Sequence, residues 1–166
     1  LMITTAALAA NGTLDPTFGS GGAVVTDLGS SSDTGDRVGL TSDGTKIYAL
    51  GSTVQDAIRR AVIVRYNING SLDSSFDADG RLVIGTGNFS ACDFAVQPDG
   101  KVVVAGATTQ KNFVLLRYLS NGTRDTSFGT DGMTIFSLDG EFQFWCKDMV
   151  LQPDLKILVF GSEITA

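Results

Sequence analysis

The chain contains no histidine. That absence removes the usual general base near neutral pH, the Ser-His-Asp and Cys-His arrangements, and most zinc and iron sites. Glutamate is almost missing as well. Glu141 and Glu163 are the only two, and nothing in their spacing places them together. Basic residues are outnumbered, 12 Lys and Arg against 18 Asp and Glu, for a net charge of −6. This leaves no basic footprint for nucleic acid or an anionic membrane. No apolar run approaches the roughly 18 residues needed to cross a bilayer, so membrane insertion is not expected. The acidity by itself does not indicate calcium, because a solvated acidic surface produces the same balance.

Cysteine is scarce, with only Cys92 and Cys146. Aligned on the internal repeat described below, Cys92 falls opposite Lys147 and Cys146 opposite Ala91, one register apart. Alternate strand residues point to opposite faces. Two half-buried free thiols are therefore expected rather than a disulfide. The first eight residues, Leu1 to Leu8, carry no positive segment and do not read as a signal peptide. A chain that opens on Leu and stops inside a strand pattern reads as a piece of something longer.

What is present is a sentence written three times. Asn11-Gly12-Thr13-Leu14-Asp15-Pro16-Thr17-Phe18 recurs as Asn69-Gly70-Ser71-Leu72-Asp73-Ser74-Ser75-Phe76. It recurs again as Asn121-Gly122-Thr123-Arg124-Asp125-Thr126-Ser127-Phe128. A glycine four residues after each Phe closes it: Gly22, Gly80 and Gly132. A second motif is interleaved: Ser42-Asp43-Gly44, Gln97-Pro98-Asp99-Gly100 and Gln152-Pro153-Asp154. Repetition at 58 and 52 residues marks one supersecondary unit used three times.

Each unit holds four short apolar runs. The first follows the closing glycine, at Ala23–Thr26, Arg81–Ile84 and Met133–Phe136. The second precedes the Asp-Gly turn, at Arg37–Leu40, Asp93–Val96 and Asp148–Leu151. It alternates as a half-buried strand does. The third, at Lys46–Gly51, Lys101–Gly106 and Lys156–Gly161, is apolar at every position between Lys and Gly, which requires cover on both faces. The fourth is Ala61–Tyr66 and Phe113–Tyr118, with Ile3–Leu8 aligned to it. β-Branched and aromatic enrichment supports strands throughout, and the Asp-Gly and Asn-Gly pairs supply turns. Four antiparallel strands per unit, stacked through a doubly buried strand, describe a β-propeller blade.

The block Arg65-Tyr66, Asn69 to Phe76, Gly80, then Gln97-Pro98-Asp99-Gly100-Lys101 and an apolar run to Gly106 resembles the delta-60 repeat. The likeness spans nearly the whole chain. The first copy departs from it, lacking Gln-Pro and carrying Ala7-Leu8 in place of Arg-Tyr. The resemblance implies a propeller-like fold and a bacterial surface or secreted protein, hence an extracellular or cell-surface location. It brings no catalytic residues with it.

The expected fold is all-β: a single repeat domain over residues 1–166, with units at 9–66, 67–118 and 119–166 plus a strand at 1–8. That N-terminal strand is expected to complement the last blade, which lacks its own fourth strand. About three blades fall short of the roughly four to eight of a closed propeller. The readings left open are two chains in one ring, a piece of a longer array, a head-to-tail filament, or a closed trimer of blades.

Several residues carry both a chemical and a structural reading. Asp77 and Asp79, with Asp131 in the matching loop, resemble the start of an oxygen-rich calcium loop, although a solvated turn explains them too. Asn11, Asp15, Phe18, Asn69, Asp73, Phe76, Asn121, Asp125 and Phe128 recur in every unit and are read as structural: turn residues, caps and plugs. Arg65 and Arg117 are expected to pair with a carboxylate. Glycosylation sequons stand at Asn11, Asn69, Asn88 and Asn121, of which only Asn88 lies outside the repeat turn. Trp145, with Phe142 and Phe144, breaks the repeat as an aromatic cluster. The function expected is a non-enzymatic assembly or adhesion module, with other copies of itself or further repeats as partners and no cofactor required. The alternatives are a propeller that binds carbohydrate or calcium, and a propeller hydrolase.

Overall fold

The computed structural model describes residues 3–30, 32–85, 89–109, 112–136 and 143–164, with backbone alone at Gln143, Phe144, Glu163 and Ile164. Among these residues there are twelve strands and no helix. The protein is all-β, and its four-stranded antiparallel sheets are propeller-like blades. The chain divides into two compact units, residues 1–85 and 86–166.

Unit 1 opens with β1 (Ile3–Ala6) and β2 (Ala23–Thr26), paired antiparallel as a two-stranded sheet. The blade that follows holds β3 (Thr34–Leu40), β4 (Lys46–Gln55), β5 (Ile58–Asn67) and β6 (Arg81–Val83), in that order across the sheet. Its core is continuous with the first pair: Ile3 and Phe18 pack with Ile47, Ala49, Val62, Val64 and Tyr66. Inside it the Thr26 hydroxyl meets the Tyr66 hydroxyl at 2.7 Å, so the buried phenol is satisfied.

Unit 2 repeats the blade with β7 (Phe89–Val96), β8 (Val102–Thr108), β9 (Phe113–Tyr118) and β10 (Met133–Phe136). It ends with a two-stranded sheet of β11 (Gln143–Leu151) and β12 (Ile157–Ile164). That pair packs Met149, Ile157 and Val159 onto Val103, Ala105 and Leu115 of the blade.

The repeat is phased one strand away from the expected units. The first run of each unit closes the preceding blade, because β6 lies antiparallel to β5 and β10 to β9. The thrice-written sentence is thus the connection between the third and fourth strands of one sheet. The expected completion of the last blade by the N-terminal strand is not among the pairings: within the described residues β1 pairs with β2 and β12 with β11, each as a two-stranded sheet.

Two expectations are corrected. Cys92 and Cys146 form a disulfide, with Cα atoms 5.6 Å apart. The alternation rule failed because both strands bulge there: the register of β7 on β8 shifts between Ala91 and Asp93, and that of β11 on β12 between Cys146 and Lys147's neighbour Asp148. At a bulge two consecutive residues oppose one, so positions one register apart come to face each other. The same shift between Gly35 and Arg37 in β3 makes it a feature of every copy. The second correction concerns the third run. Val102 to Ala105 are fully buried, but in the last copy Leu158 and Phe160 are 55% and 68% exposed. Only one face of β12 is covered.

Candidate functional site

The repeat sentence folds identically in its three copies. Each Asn takes two hydrogen bonds on its Oδ1 from the residue two places on: from Thr13 N and Oγ1 at 3.1 and 2.8 Å on Asn11, from Ser71 at 3.0 and 2.8 Å on Asn69, and from Thr123 at 3.0 and 2.8 Å on Asn121. Each Asp does the same one step later. Asp15 accepts from Thr17 N and Oγ1, Asp73 from Ser75, and Asp125 from Ser127, at 2.6–3.2 Å. These are consecutive side-chain-to-backbone turns. They leave Asn11, Asn69 and Asn121 exposed at the surface. Asn88 lies outside the described residues.

The turns also bring blades together. Gly70, at φ 85°, would place a Cβ 2.6 Å from Val24 Cγ2, and the neighbouring Asn69 carbonyl accepts from Gly19 N at 2.9 Å. Only glycine permits that approach at that φ.

Beneath the turn of β5 lies a charge cluster. Asp73 Oδ2 stands 2.8 Å from both Lys46 Nζ and Arg65 Nε. Arg65 also donates to Tyr48 Oη at 3.2 Å and Ser75 Oγ at 2.8 Å, and its guanidinium lies 4.7 Å over the Phe76 ring. Burial alone would push the Asp73 carboxyl up. The bonds from Lys46 and Ser75 and the Arg65 charge outweigh it, holding the carboxyl well below the usual carboxylate range. In unit 2, Arg117 Nε is 2.8 Å from Asp125 and its guanidinium lies 4.5 Å over Phe128, while Lys101 Nζ is 3.9 Å away. In the first copy Ala7 replaces the arginine, and Asp15 is held down chiefly by the Thr17 hydroxyl. Phe18 and Phe76 are buried and Phe128 is half-buried. In all three copies the Asn and Asp oxygens are thus used by the turns that carry them.

Of the calcium candidates, Asp77 has φ 47° and its carboxyl is pushed up by burial and then by Asp79. Asp79 Oδ1 accepts the Arg81 amide at 2.9 Å. Asp131, at φ 49°, sits in the matching loop of unit 2. Among the described residues no three His, Cys, Asp or Glu side chains converge on a possible metal position. Glu141 and Phe142 lie outside the described residues, as do the side chains of Glu163 and Phe144.

Two features escaped sequence reading. Asp93 and Asp148 occupy equivalent repeat positions, and stacking β11 on β7 brings them together. Asp93 is buried and accepts from Met149 N at 2.8 Å and Phe94 N at 2.9 Å, yet burial and then Asp148 push its carboxyl up. Recurrence of the Asp was the available signal. The other is exposed apolar side chains in each unit: Val38 and Leu40 in unit 1 and Val150, Leu158 and Phe160 in unit 2 are each more than half exposed, as is Trp145, which the sequence already marks.

Two segments, residues 41–76 and 97–128, match a family described as a domain of unknown function (DUF5122) beta-propeller. The chain carries propeller-type repeats. Each matched segment runs from the Asp-Gly turn through the two central strands of a blade to the repeat Phe. No curated protein and no solved structure matches the chain.

Proposed function

We propose that this chain is a non-catalytic assembly module of a surface or secreted repeat protein, its repeats being of the delta-60 kind. One observation carries the reading: the recurrent polar residues are consumed by their own turns, while large apolar side chains stand exposed on strands of the outer sheets. Apolar surface of that kind marks interaction rather than chemistry. The Cys92–Cys146 disulfide supports an oxidising, extracellular setting. The test is particle mass against concentration, together with recovery of the protein from the surface or medium of producing cells. Growth of mass and an extracellular location are expected. A monomer at every concentration, retained in reducing cytosol, would refute it.

The exposed Trp145 favours a second reading, carbohydrate stacked on β11, since an indole face suits the apolar face of a sugar ring. Binding on a glycan array that disappears in Trp145→Ala would select it.

A further inference from the structure

The two outer sheets are complementary halves of one blade. By repeat position β1 and β2 correspond to β5 and β6, the third and fourth strands of a blade. In the same way β11 and β12 correspond to β3 and β4, its first and second strands. Among the described residues each half is a two-stranded sheet. Resting on the assembly reading, we propose that β11–β12 of one copy completes β1–β2 of a second copy, in the order β11-β12-β1-β2, with β12 antiparallel to β1.

The complete blades supply the register. Ile47 pairs with Tyr66 and Val102 with Tyr118. Carried over by the repeat, this sets Ile157 opposite Leu8, Phe160 opposite Thr5 and Ser162 opposite Ile3. Directly opposed residues share a face, so Leu158 and Phe160 fall into the row of Ile3, whose side chain is already buried on the unit 1 blade. Val150 pairs with Leu158 and extends the row by one strand.

The surface this row would meet is bare. On β3, Val38 pairs with Ala49 and Leu40 with Ile47. All four therefore share one face, but Ala49 and Ile47 are buried under the first sheet while Val38 and Leu40 are 66% and 55% exposed. Between β1 and β3 runs a groove of about 290 Å³, lined by Ile3, Thr5, Arg37, Val38 and Ala49 among others. It lies beside the open edge of β1, where a second-position strand belongs. Leu158, Phe160 and Val150 are the apolar residues that the proposed register directs onto it. An arbitrary extended peptide would pair with the edge of β1, but a half-blade in repeat register also covers β3. Head-to-tail contacts of this kind either close a ring or propagate a filament.

The test uses the 166-residue chain and two single variants, Val38→Asp in the groove and Phe160→Asp on the incoming face. Both side chains are exposed, and thermal unfolding checks that each variant folds. The wild-type chain is expected to assemble as concentration rises. Each variant alone should weaken association by on the order of 100-fold, since a carboxylate would be carried into an apolar contact. Mixed in equal amounts, the two variants should form a two-chain particle, because each keeps one intact end. Amide exchange in β1 and β12 should slow with assembly and quicken in both variants. Assembly insensitive to both substitutions would overturn the proposed register while leaving the assembly reading standing. A single-chain mass at all concentrations for the wild-type chain would overturn both.

Discussion

The three copies of the repeat Asp form a natural series in which the turn is constant and the charge environment is not. Asp73 serves two cations at 2.8 Å, one of them the buried Arg65. Asp15 occupies the same turn with Thr17 as its side-chain partner among the described residues, since Ala7 stands where Arg65 would. Both belong to unit 1, so one unfolding transition reports on both. Asp73→Ala removes the turn bonds and also strands Arg65 beneath its loop. Removing one partner of a buried pair costs about 3–5 kcal/mol. Lys46 keeps about a third of its side chain in solvent, and Arg65 retains Tyr48 and Ser75. These place the expected loss at the lower end, about 3 kcal/mol. Asp15→Ala loses the turn bonds alone and should cost less than half as much. Urea unfolding of the full chain, with the slope held fixed across variants, measures both. Equal losses would refute the reasoning, because the turn rather than the ion cluster would then carry the stability. The pH dependence has a definite sign. The folded-state carboxyl of Asp73 lies below its unfolded value, so its contribution is complete above the ordinary carboxylate range. It is lost as pH falls through that range toward the folded value. Asp73→Asn should flatten that acid limb.

Reduction of the disulfide, or Cys92→Ala with Cys146→Ala, closes a loop no longer. For a separation of 54 residues chain entropy sets an upper value of about 4 kcal/mol, and a loss of about 2–4 kcal/mol is expected in the transition of unit 2. Thiol alkylation before and after reduction checks the bond itself. Gly70→Ala should destabilise unit 1 more than Gly12→Ala, as followed by urea midpoints. Both glycines have positive φ, but a Cβ at Gly12 meets nothing within 4 Å while one at Gly70 meets Val24 and Phe18. Asp93 reverses the acid rule: with its folded value raised, stability should fall as pH rises from the ordinary carboxylate range toward the folded value. Asp148→Asn should make that fall smaller, and thermal melts across the same pH range would show it.

Strand positions were legible where local chemistry agreed with the fold. Ala23–Thr26 and Met133–Phe136 match β2 and β10 residue for residue. The second strands are longer than their alternation indicates, because β3, β7 and β11 continue upstream past a bulge that breaks it. The hairpin between β4 and β5 likewise extends beyond the apolar runs, to Gln55 and Ile58. It turns through Asp56 and Ala57, both at positive φ, and Ala is not a residue from which such a turn is read. The same bulges hid the disulfide. Periodicity reports a regular lattice, and it fails where the lattice gains a residue.

The site was legible in a different sense. Recurrence identifies what every copy needs, and what every copy needs is the turn, the cap and the plug. A residue used for recognition at one end of an array has no reason to recur in the middle. Leu158 and Phe160 stand at the positions of Tyr48 and Leu50, which are buried to within 1%. In composition the three runs look alike, and only the strands packed around them differ. The sequence pattern alone could show that a third strand needs cover on both faces. It could not show on which copy that cover is missing, because this depends on the number and order of sheets rather than on any residue within the strand. On the proposed assembly, the exposed face of β12 is a core position whose neighbour comes from a second copy, and a partner in repeat register would cover its side chains and extend its sheet together.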